Sequence, residues 1–205
     1  KYLAYLLSCN IAEILIMFSV SVISFIQSSH IPLPLIAVQI LWVNLVTDGL
    51  PALALGVDPP DPDIMQRPPR DPKESVFTRN VNRLIAVVAV TMTVFTIPIF
   101  LSKLVLGEKV ARTIVFTLIV MFEMFNTFNC RSERHSLLKV GFTKNRFLLV
   151  AVASSILLQL AVIYVPFLQV IFETAPLGMY DWALVILLSA TVIFTVEASK
   201  RMGVR

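Results

Sequence analysis

Long apolar runs bounded by proline, glycine and charge divide this chain into six segments, each long enough to cross a bilayer as a helix. They run at about Tyr2–Ile26, Leu35–Val57, Leu84–Val105, Val110–Phe128, Phe147–Phe172 and Trp182–Ala198. The fourth is the least apolar, because Glu123, Asn126 and Asn129 interrupt it. The fifth contains Pro166, which removes a backbone donor and is expected to kink the helix or end its regular part. In the second, Gly49 and Pro51 follow Asp48, and Pro51 has no N–H to give the carbonyl of Thr47. That helix is therefore expected to be broken near Gly49–Pro51, its freed carbonyls becoming oxygen ligands. The predicted class is all-α, a polytopic membrane bundle of six helices. The whole of 1–205 forms one membrane domain with longer loops at about 58–83 and 129–146.

Composition agrees. Apolar residues make up 57% of the chain and charged residues 15%, against about 45–50% and about 25% in soluble domains. Six spans leave no room for a sizeable soluble domain, and the apolar run that begins almost at once reads as a fragment of a longer protein. Of the 17 Lys and Arg residues, only Lys103, Lys109 and Arg112 fall on the side opposite the termini. The positive-inside rule thus places both termini and the two longer loops in the cytoplasm. It also makes the basic balance a membrane feature, so no nucleic-acid partner is expected. The loop DPPDPDIMQRPPRDPKE carries six prolines and cannot form a regular helix. It reads as a stiff, extended connector that either docks on a soluble domain or is a plain linker. Cys9 and Cys130 read as buried free thiols rather than a disulfide or a metal site, without assigned chemistry.

Three acids remain deep in the spans: Glu13, Asp48 and Glu123. A carboxylate at the bilayer centre costs about 2.5–3.5 kcal/mol on insertion scales, and no Lys or Arg lies at comparable depth. Bound cations, bound protons, or the two in alternation would balance them. Asn10 and Glu13 are three residues apart; Asn44, Thr47 and Asp48 are related by three and four; Glu123, Asn126 and Thr127 repeat that spacing. Every ligand-type side chain in the set offers oxygen, which suits hard cations such as calcium, sodium or potassium and argues against zinc or copper. Gln39, Gln159, Ser154 and Ser155 read instead as hydrogen-bonding contacts between helices.

The segments YLLSCNIAEI, QILWVNLVTDGLPALALGVDPPDPDIMQRPPR and FEMFNTFN resemble the C-terminal membrane region of P-type calcium-transporting ATPases, of the sarcoplasmic-reticulum-like branch and its microbial relatives. The resemblance covers essentially the whole chain, although the last two spans match mainly in hydropathy and length. It implies that the six spans are the fifth to tenth of ten membrane helices. Asn10, Glu13, Thr47, Asp48 and Glu123 would then fall on ligands of one calcium site, and Asn44 and Asp48 on ligands of a second. Asn126 is a further candidate, and a preceding helix would complete the second site. The resemblance also implies an integral multi-pass protein that exports calcium from the cytoplasm against protons, in a plasma membrane if microbial and an internal membrane if eukaryotic. The chain contains no DKTGT motif and no nucleotide-binding sequence. It holds no catalytic residue of its own and is expected not to hydrolyse ATP alone. Magnesium and ATP would act through the phosphorylation, nucleotide and actuator domains of the same protein. Other readings are a sodium, potassium or proton pump of the same superfamily, an ion-coupled secondary transporter without an ATPase, and a purely structural membrane protein.

Overall fold

The computed structural model describes residues 1–28, 30–61, 63–66, 75, 77–133 and 135–203, and every regular element among them is helical. Helix α1 runs Tyr2–Ile26. The second span comprises α2 (Ala37–Trp42), a π-helical turn (Val43–Thr47) and α3 (Gly49–Gly56). Then come α4 (Arg79–Lys103), α5 (Glu108–Asn129), the short α6 (Leu137–Val140), α7 (Arg146–Tyr164), α8 (Pro166–Phe172) and α9 (Met179–Gly203). Six of these helical stretches are long and apolar enough to cross a bilayer; their limits fall within about five residues of the apolar runs except in the fifth, which stops at Tyr164 instead of Phe172 because Pro166 starts a separate helix. Much of the proline-rich loop, residues 62, 67–74 and 76 with Arg67, Arg70 and Lys73, lies outside the described residues, as do Arg134 and Arg205.

The sorting of helices follows from the solvent. In hydrocarbon, apolar side chains lose nothing by facing outward, whereas polar ones must find protein partners. Accordingly α5, a polar span, is the central one: 83% of its membrane window is buried, against 28–44% for the others. It packs on α4, α9, α7, α3 and α1. Phe18, Leu45, Leu53, Phe147 and Phe194 are exposed on the outer helices and form part of the apolar surface that lipid would cover.

Pro166 ends its helix as expected. Val165 is extended and Pro166 opens α8 at a position needing no N–H. The carbonyl of Val162, which Pro166 cannot serve, accepts from Thr174 Oγ1 at 2.6 Å, and that of Ile163 accepts from Gln169 Nε2 at 2.5 Å. Gln39 Nε2 donates to Phe172 O at 2.9 Å, and Trp42 Nε1 donates to Gln159 Oε1 at 3.1 Å, tying α2 to α8 and α7.

One end of the bundle is closed by a buried ion-pair node. Asp58, just past α3, accepts from Lys1 Nζ at 2.7 Å, Arg131 Nε at 3.0 Å and Asn145 Nδ2 at 2.8 Å. Both Asp58 and Arg131 side chains are almost wholly buried. Arg131 Nη1 also donates to the carbonyl of Gly141, a residue held at φ +84°, where glycine is strain-free. Asn145 caps α7 through Leu148 N and donates to Ala54 O near the end of α3. Nearby, Lys200 Nζ donates to Asn129 O at 2.9 Å, while Glu197 accepts from Leu137 N at 2.9 Å. At the opposite end, Lys103 pairs with Asp181 and Arg112 donates to Leu33 O. Lys1, Arg131 and Lys200 thus lie at one end and Lys103 and Arg112 at the other. Replacing Asp58 by Ala leaves the Arg131 guanidinium buried without its anion, a loss of about 3–5 kcal/mol. Thermal melting of the purified full-length protein checks it: D58A should melt well below wild type, and D58N in between.

Candidate cation-binding site

The site forms where the second span departs from the α-helix. Asp48 N bonds back five residues to Val43 O at 2.9 Å, and Thr47 Oγ1 donates to the same carbonyl at 3.0 Å. The irregular stretch therefore precedes Gly49, whereas proline chemistry alone placed it at Gly49–Pro51. Pro51 sits in the first turn of the resumed helix, where its missing N–H disturbs least. The Thr47 carbonyl it cannot serve accepts from Ser155 Oγ on α7 at 3.3 Å. Packing does not demand glycine at position 49, since a Cβ there would meet nothing within 4 Å. Single π turns of this kind recur at functional sites because the extra residue re-aims the side chains that follow.

Glu13 from α1, Asp48 from the second span and Glu123 from α5 converge. Glu123 interacts with the carboxyls of both Glu13 and Asp48. All three acids are buried, Asp48 and Glu123 completely. Among the described residues two donors reach them: Asn44 Nδ2 on Glu13 Oε2 at 2.9 Å, and Tyr5 OH on Asp48 Oδ1 at 2.5 Å. Among the described residues, Glu13 Oε1, Asp48 Oδ2 and both oxygens of Glu123 have no hydrogen-bond donor and meet only one another's carboxyls. The ion pairs among the described residues involve Asp58, Asp63, Glu108, Glu173, Asp181 and Glu197, and none of these three acids. Buried polar atoms in folded proteins are ordinarily satisfied, so four such oxygens at one place make this cluster the candidate site for a cation or for protons.

The remaining sequence candidates lie around this centre with other attachments. Thr47 is buried and turned to Val43 O. Asn10 is half-buried and donates to Leu6 O on its own helix at 2.8 Å. Asn126, one turn beyond Glu123, donates to Ser8 Oγ at 2.9 Å and to Cys9 Sγ at 3.7 Å, and accepts from Cys130 Sγ at 3.9 Å.

Two residues of the site escaped sequence reasoning. Tyr5 is fully buried and holds Asp48; Cys9 Sγ, a carboxylate oxygen of Asp48 and one of Glu123 all lie within 4.8 Å of one another. The signal was present. Tyr5, Cys9 and Glu13 succeed one another at four-residue intervals and so share a face of α1.

Six helices so long and apolar define a multi-pass integral membrane protein. Within that class the chain belongs to the family "Cation transporting ATPase, C-terminus", whose model matches residues 32–202. It is 43% identical to a calcium-transporting ATPase of Bacillus subtilis over 202 residues, 97% of this chain and 22% of that protein. It is 36% identical to calcium-transporting ATPase 1 of Saccharomyces cerevisiae over 203 residues, 98% of this chain and 21% of that protein. Against the human calcium-transporting ATPase type 2C member 1 it is 35% identical over 204 residues, 98% and 22% of the respective chains. The chain thus spans about a fifth of the length of the curated relatives it matches.

Tyr5 supplies one of the two donors to the carboxylate cluster. Tyr5→Phe leaves a further buried carboxylate oxygen unpaired, a cost of about 1.5–3 kcal/mol for a bond to a charged group. Melting in the presence of a chelator should reveal it, with the full-length variant unfolding at lower temperature than wild type.

Proposed function

We propose that this chain is the cation-binding transmembrane part of an ATP-driven calcium pump. The four unpartnered carboxylate oxygens of Glu13, Asp48 and Glu123 carry the reading, and the names of the relatives supply the ion. Calcium takes six to eight oxygen ligands, carboxylates and backbone or amide carbonyls among them. Asp48, which the family resemblance puts on both calcium sites, is the pivot of the proposed site, and Glu123 meets the carboxyls of both Glu13 and Asp48. Glu13 and Glu123 bring further charge from two other helices; Asn44 and Asn10 contribute amide oxygens once their present hydrogen bonds are exchanged for the ion. Thr47 supplies a hydroxyl oxygen, and Asn126 holds the wall formed by Ser8 and the two cysteines.

The chemistry of export follows from the same groups. With calcium bound, the carboxylates are ionised and balanced. When the ion leaves outward, a cluster of bare charges in hydrocarbon is too costly to persist, and protons taken from the far side replace it. The work comes from ATP and magnesium, acting through cytoplasmic domains of the full protein. Both termini and the Asp58 node face the cytoplasm, on the side richer in Lys and Arg.

Asp48→Asn in the full-length protein should abolish calcium-dependent phosphoenzyme formation from ATP. Glu123→Gln should shift the calcium titration to higher concentration with less complete loss. Near-normal phosphoenzyme in D48N at micromolar calcium would end the assignment. Activation of the wild type by sodium or potassium in place of calcium would move it to another branch of cation pumps.

A further inference from the structure

Cys9 is not an oxygen ligand, yet its sulfur stands inside the carboxylate cluster. It is completely buried, and its Sγ lies within 4.8 Å of carboxylate oxygens of Asp48 and Glu123. Two facts separate this from a lone buried thiol. Both oxygens of Glu123 and Oδ2 of Asp48 are buried without a partner, so the thiol shares its space with groups already in want of a cation. The Asn126 amide, donating to Cys9 Sγ at 3.7 Å and to Ser8 Oγ at 2.9 Å, holds the sulfur in place from the side of α5.

The spacing bears on which ion fits. Zinc–sulfur bonds are about 2.3 Å and zinc–oxygen bonds about 2.0–2.2 Å, so ligand atoms around one zinc lie at most about 4.5 Å apart. The three ligand atoms here lie within 4.8 Å of one another, close enough to share one ion, and the reading of Asp48 and Glu123 as calcium ligands sets its size. Thiolate prefers soft, polarizable metals, whereas calcium draws its ligands from oxygen. A divalent cation close to calcium in size but with affinity for sulfur satisfies both conditions, and cadmium is the plainest representative.

We propose that Cys9, Asp48 and Glu123 form a mixed sulfur–oxygen site that captures thiophilic divalent cations of calcium-like size, in competition with calcium. The inference rests on the reading of Asp48 and Glu123 as cation ligands and extends it to selectivity. On binding, the Cys9 S–H bond breaks heterolytically: the proton leaves to solvent and the sulfur electron pair forms the metal–sulfur bond, with no change of oxidation state. Serine at this position would keep a small polar group without the soft ligand.

The test uses the full-length protein and cadmium as the probe. Cadmium added to wild type should produce a thiolate-to-metal charge-transfer absorption in the ultraviolet, part of which is missing from C9S and is displaced by excess calcium. The half-saturating cadmium concentration, divided by that of calcium for the same variant, should rise at least about tenfold in C9S. C130S should leave both readings as in wild type. An unchanged ratio in C9S, or a calcium-displaceable band that persists in C9S and disappears in C130S, overturns the proposal. If wild type binds cadmium through Cys9 but calcium neither displaces it nor supports phosphoenzyme formation, the calcium reading fails and the thiol site stands.

Discussion

Four carboxylate oxygens buried in an apolar bundle, with no donor among the described residues turned to them, set the terms for the surrounding structure. Their charge cannot be spread into solvent, and no basic side chain among the described residues pairs with them. A protein could neutralise such a cluster permanently with one lysine, at the expense of any exchange. Here the only internal compensation is two neutral donors, the Asn44 amide and the Tyr5 phenol. Both can withdraw without leaving a charge behind. The centre is therefore held by neutral contacts alone, with no fixed countercharge among the described residues.

The other polar groups in the spans do a different job, and the two sets hardly mix. Ser155 serves the Thr47 carbonyl beside the π turn, Thr174 and Gln169 serve the carbonyls stranded by Pro166, Gln39 serves Phe172 and Asn145 serves Ala54. Each irregularity of backbone in the membrane is matched by a side-chain donor from a neighbouring segment. That is the condition under which non-helical backbone is tolerated away from water. The Thr47 carbonyl is thus already committed to Ser155, although Pro51 denies it a helical partner. Opening the backbone and freeing an oxygen for a ligand are separate events.

Most of the architecture was legible because the bilayer enforces it: long apolar runs have one solution, and the charge asymmetry of the loops divides their ends. The three acids were legible for the same reason, being too costly to bury without purpose. Other features were hidden. The π turn depends on Asp48 N and Thr47 Oγ1 both bonding to Val43 O, in a stretch packed on α7, and the residue types at positions 43–47 do not announce it. Spacing put Asn10 on the Glu13 face, but its amide turned to the Leu6 carbonyl one turn back, a competition that a sequence pattern does not resolve. Cys9 and Tyr5 were missed because apolar-looking residues on a membrane helix are expected to pack; only the fold shows them facing Asp48.

The last consequence is mechanical. Helix α1 grips the second span twice, through Tyr5 on Asp48 and through Lys1 on Asp58. Between those two acids lies α3, eight residues and about 12 Å of rigid helix at 1.5 Å per residue. Lys1 and Tyr5 are one turn apart on α1, about 6 Å, so the long lysine side chain makes up the difference. A movement of α1 along its axis cannot keep both bonds unless α3 moves with it, because α3 has no irregular residue in which to absorb the change. The flexible element lies on the other side of Asp48, in the π turn. Helix α3 thus joins the two grips on α1, and the irregular turn at Val43–Thr47 lies just beyond Asp48.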